Sequence, residues 1–396
     1  MKRWTSILVS LFLCSSLLIA QDKLEIFGYF ESQMMGAEVK NEFLQLYSNK
    51  LRVDLKSSLS KNITFAANFD YITYHGKTEW NILDFLAPKV VSEVSEGMEA
   101  FYALPFSNRT FLDNAYIKIA FKPFDLIVGK QQISLGTGYV WNPADVFNVK
   151  DYLDPTYEQP GHNAIRLDVP LGTSYTLTAL FSPDENWGDS AKMIQFKGRI
   201  SRFDFSFIAI EKAWRFHDYT QFDTESMNFL ELPEKRQLLG FSTAGELLGL
   251  GVWAEYAYNK MERTKDFYEL VLGADYTFDF QTYLMVEYYQ NTLGKTHHED
   301  YTLNDWMRLM AMEQKAISRD QVYVFIQHPV TDLLNAAISS IYNISDNSFA
   351  LIPTLNYSLS DNVDIFAYLN LNFGAEGKAF AKNLGNGGLI RVRVYF

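Results

Sequence analysis

NGGLIRVRVYF, residues Asn386–Phe396, ends the sequence on a phenylalanine and sets two arginines between valines. With a period of two it divides into Ile390, Val392, Val394 and Phe396 on one face and Leu389, Arg391, Arg393 and Tyr395 on the other, the pattern of a strand. A half-buried strand of a soluble sheet would alternate in the same way, but chain ends are usually the polar, poorly ordered part of a soluble domain. A closed antiparallel barrel in a membrane removes the conflict. There the last strand pairs with the first, every backbone group is satisfied, and the apolar face meets lipid, with Phe396 near the periplasmic rim.

Working outward from this stretch, the same event recurs from Leu24 onward: about ten residues of alternating character, then a break. NVDIFAYLNLNF sets Val363, Ile365, Ala367, Leu369, Leu371 and Phe373 against Asp364, Phe366, Tyr368, Asn370 and Asn372. NKLRVDLKSSL sets Leu51, Val53 and Leu55 against Arg52, Asp54 and Lys56, and NAIRLDVPL sets Ile165, Leu167 and Val169 against Ala164, Arg166 and Asp168.

The breaks alternate in length. Short ones fall at Ser60-Lys61-Asn62, Pro123, Gly172-Thr173, Arg202, Leu248-Gly249, Asp279, Thr331–Leu334 and Ser360-Asp361. Longer, more polar ones fall at Gly76–Thr110, Leu135–His162, Trp214–Arg236 and Leu293–Asp320. The expected fold is therefore all-β: a transmembrane antiparallel β-barrel of about eighteen strands, with about 16–18 as the range, short periplasmic turns and long extracellular loops. Aromatic residues at segment ends, such as Tyr268, Tyr276 and Phe278, suit interfacial girdles. A propeller would instead show a blade-length repeat with a fixed motif.

Composition agrees. Aromatic residues make up 16% of the 396 residues, yet mean hydropathy is only −0.12 and no apolar run long enough for a membrane helix follows the first twenty residues. The net charge of −12 and pI near 5.1 argue against nucleic acid as a partner, since phosphate binding needs a basic surface. MKRWTSILVSLFLCSSLLIAQDK has Lys2 and Arg3, an apolar core from Ile7 to Ile19, and Ala20 before Gln21, which reads as a signal peptide over residues 1–20. Residues 21–396 then form one barrel domain without any cysteine, because Cys14 is the only one, so neither disulfides nor thiolate metal sites contribute.

Two stretches carry resemblances. The last strand resembles those of Gram-negative outer-membrane proteins that end in Phe and are read by the barrel-assembly machinery, which implies that partner for Phe396. GKQQISLGTGYVWNPADVFNVKDYLDPTYEQPG, residues 129–161, resembles the Gly-Arg-Gln…Trp-Gly…Trp-Asn-Pro-x-Asp-x-Phe-Asn stretch of a porin-like group of outer-membrane barrels. Gly129, Gln131, Gly136, Gly138, Trp141, Asn142, Pro143, Asp145, Phe147 and Asn148 match, while Lys130 replaces the arginine and Leu135 the tryptophan. The resemblance implies a passive channel and names no solute.

Read on its own residues, this stretch holds Trp141, Phe147, Tyr152 and Tyr157, too apolar to lie in water, so it is expected to fold inward and narrow the pore rather than form an outer lid. Trp141, Asn142, Asp145, Asp151, Asp154 and Glu158 are the candidate constriction residues, and the four acids would favour cations. Charges are costly on a lipid face, so Arg52, Lys118, Lys130, Arg166, Lys197, Arg199, Glu255, Glu269, Glu287, Arg391 and Arg393 are expected to line the lumen. Antiparallel closure should bring Glu25 and Glu31 of the first strand near Arg391 and Arg393.

Enzyme signatures are thin. GFSTAG, Gly240–Gly245, approaches a nucleophile elbow but fails Gly-x-Ser-x-Gly at Ala244 and reads as a strand. His297-His298-Glu299-Asp300 contains metal-ligand residue types, but adjacent side chains on a strand or loop point apart, and a charged loop tip is the better reading. The expectation is a porin-like channel for small polar or charged solutes, without cofactor or catalytic site, in the bacterial outer membrane. A plugged structural or adhesive barrel and an outer-membrane barrel enzyme are the alternatives, and the oligomeric state stays open.

Overall fold

The structure, a computed structural model, describes residues 24–150, 158–223 and 225–396. The segment read as a signal peptide, and Asp151 and Asp154 of the candidate constriction, lie outside them. The first strands are β1 (Leu24–Val39), β2 (Glu42–Ser60) and β3 (Ile63–Gly76), followed by a small hairpin of β4 (Glu79–Asn81) and β5 (Ala103–Pro105). Next come β6 (Arg109–Ala120), β7 (Asp125–Gln132), β8 (Gly161–Leu171), β9 (Tyr175–Ser182) and β10 (Ala191–Ile200). The chain continues through β11 (Phe203–Asp223), β12 (Asn228–Leu247), β13 (Leu250–Met261), β14 (Phe267–Thr277) and β15 (Tyr283–Asn291). It closes with β16 (Asp320–Pro329), β17 (Leu334–Asn343), β18 (Ser348–Ser360), β19 (Val363–Phe373) and β20 (Asn386–Tyr395). Among the described residues, two short α-helices, α1 (Pro88–Val91) and α2 (Leu303–Met310), sit in long loops.

All strands except β4 and β5 form one eighteen-stranded antiparallel sheet, each pairing with its sequence neighbours and β1 with β20. The eight short breaks read from the sequence are the turns at one end of this wall. The long loops lie at the other. Alternation decides which side chains face out: Ile390, Val392, Val394 and Phe396 are exposed outside the wall, whereas Arg391 is 4% exposed on its inner side. The outward set continues round the barrel with Ile26, Phe30, Ile165, Ile194, Phe207 and Leu239. An apolar band of this extent is not left in water by a stable protein. Because side-chain direction has a period of two, a slip of one residue in any strand would carry its charges into that band.

The closure brings Glu31 opposite Arg393 and Gln33 opposite Arg391. The Glu31 carboxylate lies 2.6 Å from Arg393 Nη2 and 3.5 Å from Arg391 Nε. Glu25 does not join them. It lies beyond the end of the pairing and approaches Lys56 at 3.8 Å instead. At the same seam Phe396 exchanges two backbone hydrogen bonds with Gly28, each 3.1 Å, and a side chain at Gly28 would strike both the Arg52 carbonyl and the Phe396 ring.

One long break is not a loop. Within Trp214–Arg236, β11 and β12 stay paired from Trp214↔Glu234 to Asp218↔Leu230, and again from Phe222↔Phe229 to the hairpin tip at Asp223↔Asn228. The hairpin projects past the apolar band, so neither face needs to be uniformly apolar and the alternation that marks wall strands is lost.

Candidate functional site

The stretch between β7 and β8 turns into the barrel. Gly136 has φ +89°, and a side chain at Gly138 would collide with the Trp141 carbonyl, so only glycines allow this tight path. The turn aims successive N–H groups at two carboxylates on the inner wall. Glu255 on β13 accepts from Thr137 N at 2.7 Å, Ala144 N at 2.6 Å and Gly138 N at 3.4 Å. Glu287 on β15 accepts from Tyr139 N at 2.6 Å, Val140 N at 2.8 Å, Trp141 N at 3.1 Å and the Trp253 indole at 2.8 Å.

Both carboxylates are almost wholly buried, 1% and 0% exposed. A buried carboxylate is expensive unless hydrogen-bonded, and buried backbone amides need acceptors, so wall and loop satisfy one another. Apolar packing adds to this attachment. Trp141 stacks on Tyr289 with ring centroids 4.9 Å apart and planes 7° apart, and Ile133, Leu135 and Ala144 pack on Leu180, Ile208 and Leu238 of the wall.

The far end of the stretch is fastened elsewhere. Glu158 accepts from Tyr29 Oη at 2.8 Å, Lys50 Nζ at 2.7 Å and Arg52 Nη1 at 2.9 Å. Burial would push the Glu158 carboxyl up, but Lys50 and Arg52 outweigh it and hold it below its ordinary value. β2 and β13 are the second and eleventh of the eighteen wall strands and stand half-way round the barrel from one another. The segment therefore has its attachments on opposite walls.

The expected constriction residues divide accordingly. Trp141 and Asn142 are buried at the loop's turn. Asp145 does not face lumen water: it accepts from Phe147 N and Asn148 N, both at 2.9 Å, and organises its own loop. Burial pushes its pKa up against these donors. Glu158 is neutralised by the wall cations. A cation preference carried by Asp145 and Glu158 thus finds no free carboxylate at either position.

Among the expected lumen charges, Glu255, Glu287 and Glu269 do point inward but lie beneath loops. Glu269 is 2.7 Å from Tyr289 Oη, 3.1 Å from Lys315 Nζ and 3.4 Å from Arg236 Nη2. Arg52 is buried among Asp54, Asp70, Asp113 and Glu158, and Arg391 and Arg393 are held at the seam. Lys130 is a correction. The register aligns it with Ala115 and Asn163, two positions on from the outward Val128, Ile117 and Ile165, so it lies on the outer face at the long-loop end, where it donates to the Leu112 carbonyl at 2.7 Å.

The remaining cations line open space in the short-turn half. One cavity of about 530 Å³ is bordered by Arg52, Lys56, Lys118, Arg166 and Asp54. A second, about 510 Å³, lies between Gly136–Thr137 of the inward loop and Lys197, Arg199 and Asp204 of the wall. Lys118 pairs with Asp125 at 2.7 Å, Arg166 with Asp168 at 3.0 Å and Arg199 with Asp204 at 2.6 Å. The long-loop half is filled differently: α1, α2 and the loop after β19 contribute Val90, Trp306, Met307 and Phe380 to an apolar cluster with Trp141, Trp253 and Tyr289.

Lys50, absent from the expected site residues, shares the inward parity of Arg52, and Tyr29 that of Glu31, so alternation is the signal that finds both. Glu255 and Glu287 read as ordinary lumen charges, since nothing local in β13 or β15 announces a loop above them. GFSTAG lies in extended conformation inside β12, without the strand-turn-helix of a nucleophile elbow.

Comparison with protein-family models finds no match, and comparison with curated protein sequences finds none either. Solved structures do match in fold. Acinetobacter baumannii OccAB1 aligns over 94% of this chain and 96% of its own at 10% identity, with a TM-score of 0.58. A. baumannii OccAB2 covers 95% and 98% at 8% identity with a TM-score of 0.56, and A. baumannii OccAB4 covers 94% and 97% at 10% identity with a TM-score of 0.54. At such identities the likeness is one of fold: this chain is a closed antiparallel barrel of the same architecture, nearly end to end.

Proposed function

We propose that the protein is a porin-like channel of the bacterial outer membrane that passes small polar or charged solutes by diffusion and carries no catalytic activity. The short turns then face the periplasm and the long loops the exterior. The observation that supports this reading best is the inward stretch of residues 133–150, attached to β13 and β15, with Glu158 held on the opposite side by β2. It divides a lumen that an eighteen-stranded wall would leave wide, and sets a polar, ion-lined lower chamber beneath a packed upper mouth. Lipid covers the apolar band, and Phe396 at the seam is the group the assembly machinery reads.

A plugged barrel is the second reading, favoured by the apolar cluster that fills the long-loop half. Single-channel recording of the refolded protein separates the two. Discrete, stable current steps support the channel; a folded barrel that never conducts at any voltage supports the plug.

A further inference from the structure

Between β15 and β16 the chain runs out to α2 and returns through a pinched neck. Lys295 N donates to the Ile317 carbonyl at 3.0 Å, Arg319 N to the Lys295 carbonyl at 2.9 Å, and Asn291 N to the Arg319 carbonyl at 2.7 Å. Beyond this neck, residues 296–316 need no backbone partner elsewhere. Among the described residues, no backbone–backbone hydrogen bond joins them to another part of the chain. α2 is capped within the same segment: Asp305 N donates to Thr302 Oγ1 at 3.2 Å, and Thr302 N to the Asp305 carboxylate at 3.0 Å. A wall strand cannot leave its place without breaking its ladder, whereas this segment can swing and keep its own backbone bonds.

Side chains hold it down. Leu303, Trp306 and Met307 are buried in the apolar cluster with Trp141 and Tyr289. Toward the projecting β11–β12 hairpin, one carboxylate makes three contacts: Glu313 accepts from His217 N at 3.0 Å and Tyr219 Oη at 2.7 Å, and lies 2.6 Å from His217 Nδ1. Asn304 and Arg308 reach the same short stretch. Tyr219 N donates to Asn304 Oδ1 at 2.6 Å, Asn304 Nδ2 to Asp218 Oδ1 at 3.0 Å, and Arg308 Nε to the His217 carbonyl at 3.1 Å.

We propose that residues 296–316 are a lid over the channel mouth, hinged at the neck between Lys295 and Ser318 and latched to the hairpin by Glu313, and that solutes pass when the latch releases. The passage of solutes rests on the channel reading; the motion of the lid does not. The apolar cluster that favours a plugged barrel is then the closed state of a moving part. Burial of Leu303, Trp306 and Met307 favours closure, and the polar latch sets how often it fails. A static cover is the rival.

Two readouts test the lid, and one needs no current. In refolded protein carrying Cys14→Ser, which removes the only native thiol, Met307→Cys places a single cysteine at a position only 4% exposed. Its labelling by N-ethylmaleimide in folded, heat-modifiable barrels should be slow. Glu313→Gln should speed it about ten- to a hundredfold, the effect of losing one hydrogen bond to a charged acceptor. Separately, Asp218→Cys and Asn304→Cys joined by a short reducible bis-methanethiosulfonate should abolish current steps in planar bilayers, and a reductant should restore them. Each single-cysteine variant treated in the same way should conduct as before. Labelling that Glu313→Gln leaves unchanged, or unaltered conductance in the linked barrel, would overturn the lid. Labelling that Glu313→Gln speeds in a barrel that never conducts would refute the channel and spare the moving lid, and conduction that the link leaves untouched would do the reverse.

Discussion

Replacing Glu287 by glutamine probes the inward loop with the least disturbance to the wall, because the strand ladder uses only backbone groups. Its two oxygens serve two donors each: Tyr139 N and Trp253 Nε1 on one, Val140 N and Trp141 N on the other. Whichever oxygen becomes the amide nitrogen, two donors lose their acceptor and face another donor. Trp253 belongs to wall strand β13, so the loop itself loses one or two bonds; at about 1.5–3 kcal/mol for each hydrogen bond to a charged group, it should be weakened by roughly 1.5–6 kcal/mol. Burial of Val140 and the Trp141–Tyr289 stack remain and resist release. At about 1.4 kcal/mol per tenfold, the population with the loop detached should rise on the order of 10- to 10⁴-fold. In planar bilayers this reads as frequent openings to a larger conductance, rare in the wild type, and Glu255→Gln together with Glu287→Gln should prolong them. Wild-type conductance and wild-type opening frequency in both the single and double variants, in barrels that remain heat-modifiable, would refute the idea that these carboxylates hold the constriction.

Three other outcomes follow from the same contacts. Glu158 has a depressed pKa, so the stability it contributes is present above the ordinary carboxylate value of 4.5 and is lost as pH falls through its folded value; the wild type should show a conductance change only below about pH 4.5, and Glu158→Gln should lack that acid-dependent component. Glu31→Ala leaves Arg391 and Arg393 without their shared carboxylate at the seam, which should cost about 3–5 kcal/mol, read as a lower urea midpoint at unchanged secondary structure. Deleting Phe396 removes two backbone hydrogen bonds to Gly28 and the ring over it, so less heat-modifiable barrel should reach outer membranes at equal synthesis; unaltered insertion would count against its role in assembly.

Wall topology was legible in the sequence because a membrane strand is governed locally. Every second side chain must suit lipid, so Val363, Ile365 and Ile390 announce the outward face without reference to any other strand, and the short turns mark where each run reverses. The same parity placed Glu31 and Arg393 inside and near one another. The inward course of residues 133–150 could be suspected from Trp141 and Phe147, which have no reason to lie in water. What the residues could not disclose is where that course attaches. Glu255 and Glu287 look like any inward acid of β13 and β15, and their partners are backbone amides, which carry no sequence signature. Asp145 and Glu158 read as lumen charges for the same reason, and only the tertiary arrangement spends one on its own loop and the other on Lys50 and Arg52. Alternation is a property of neighbouring residues in one strand, whereas contact across the lumen depends on how eighteen strands close and which loop reaches which wall, and that is decided by the whole chain at once.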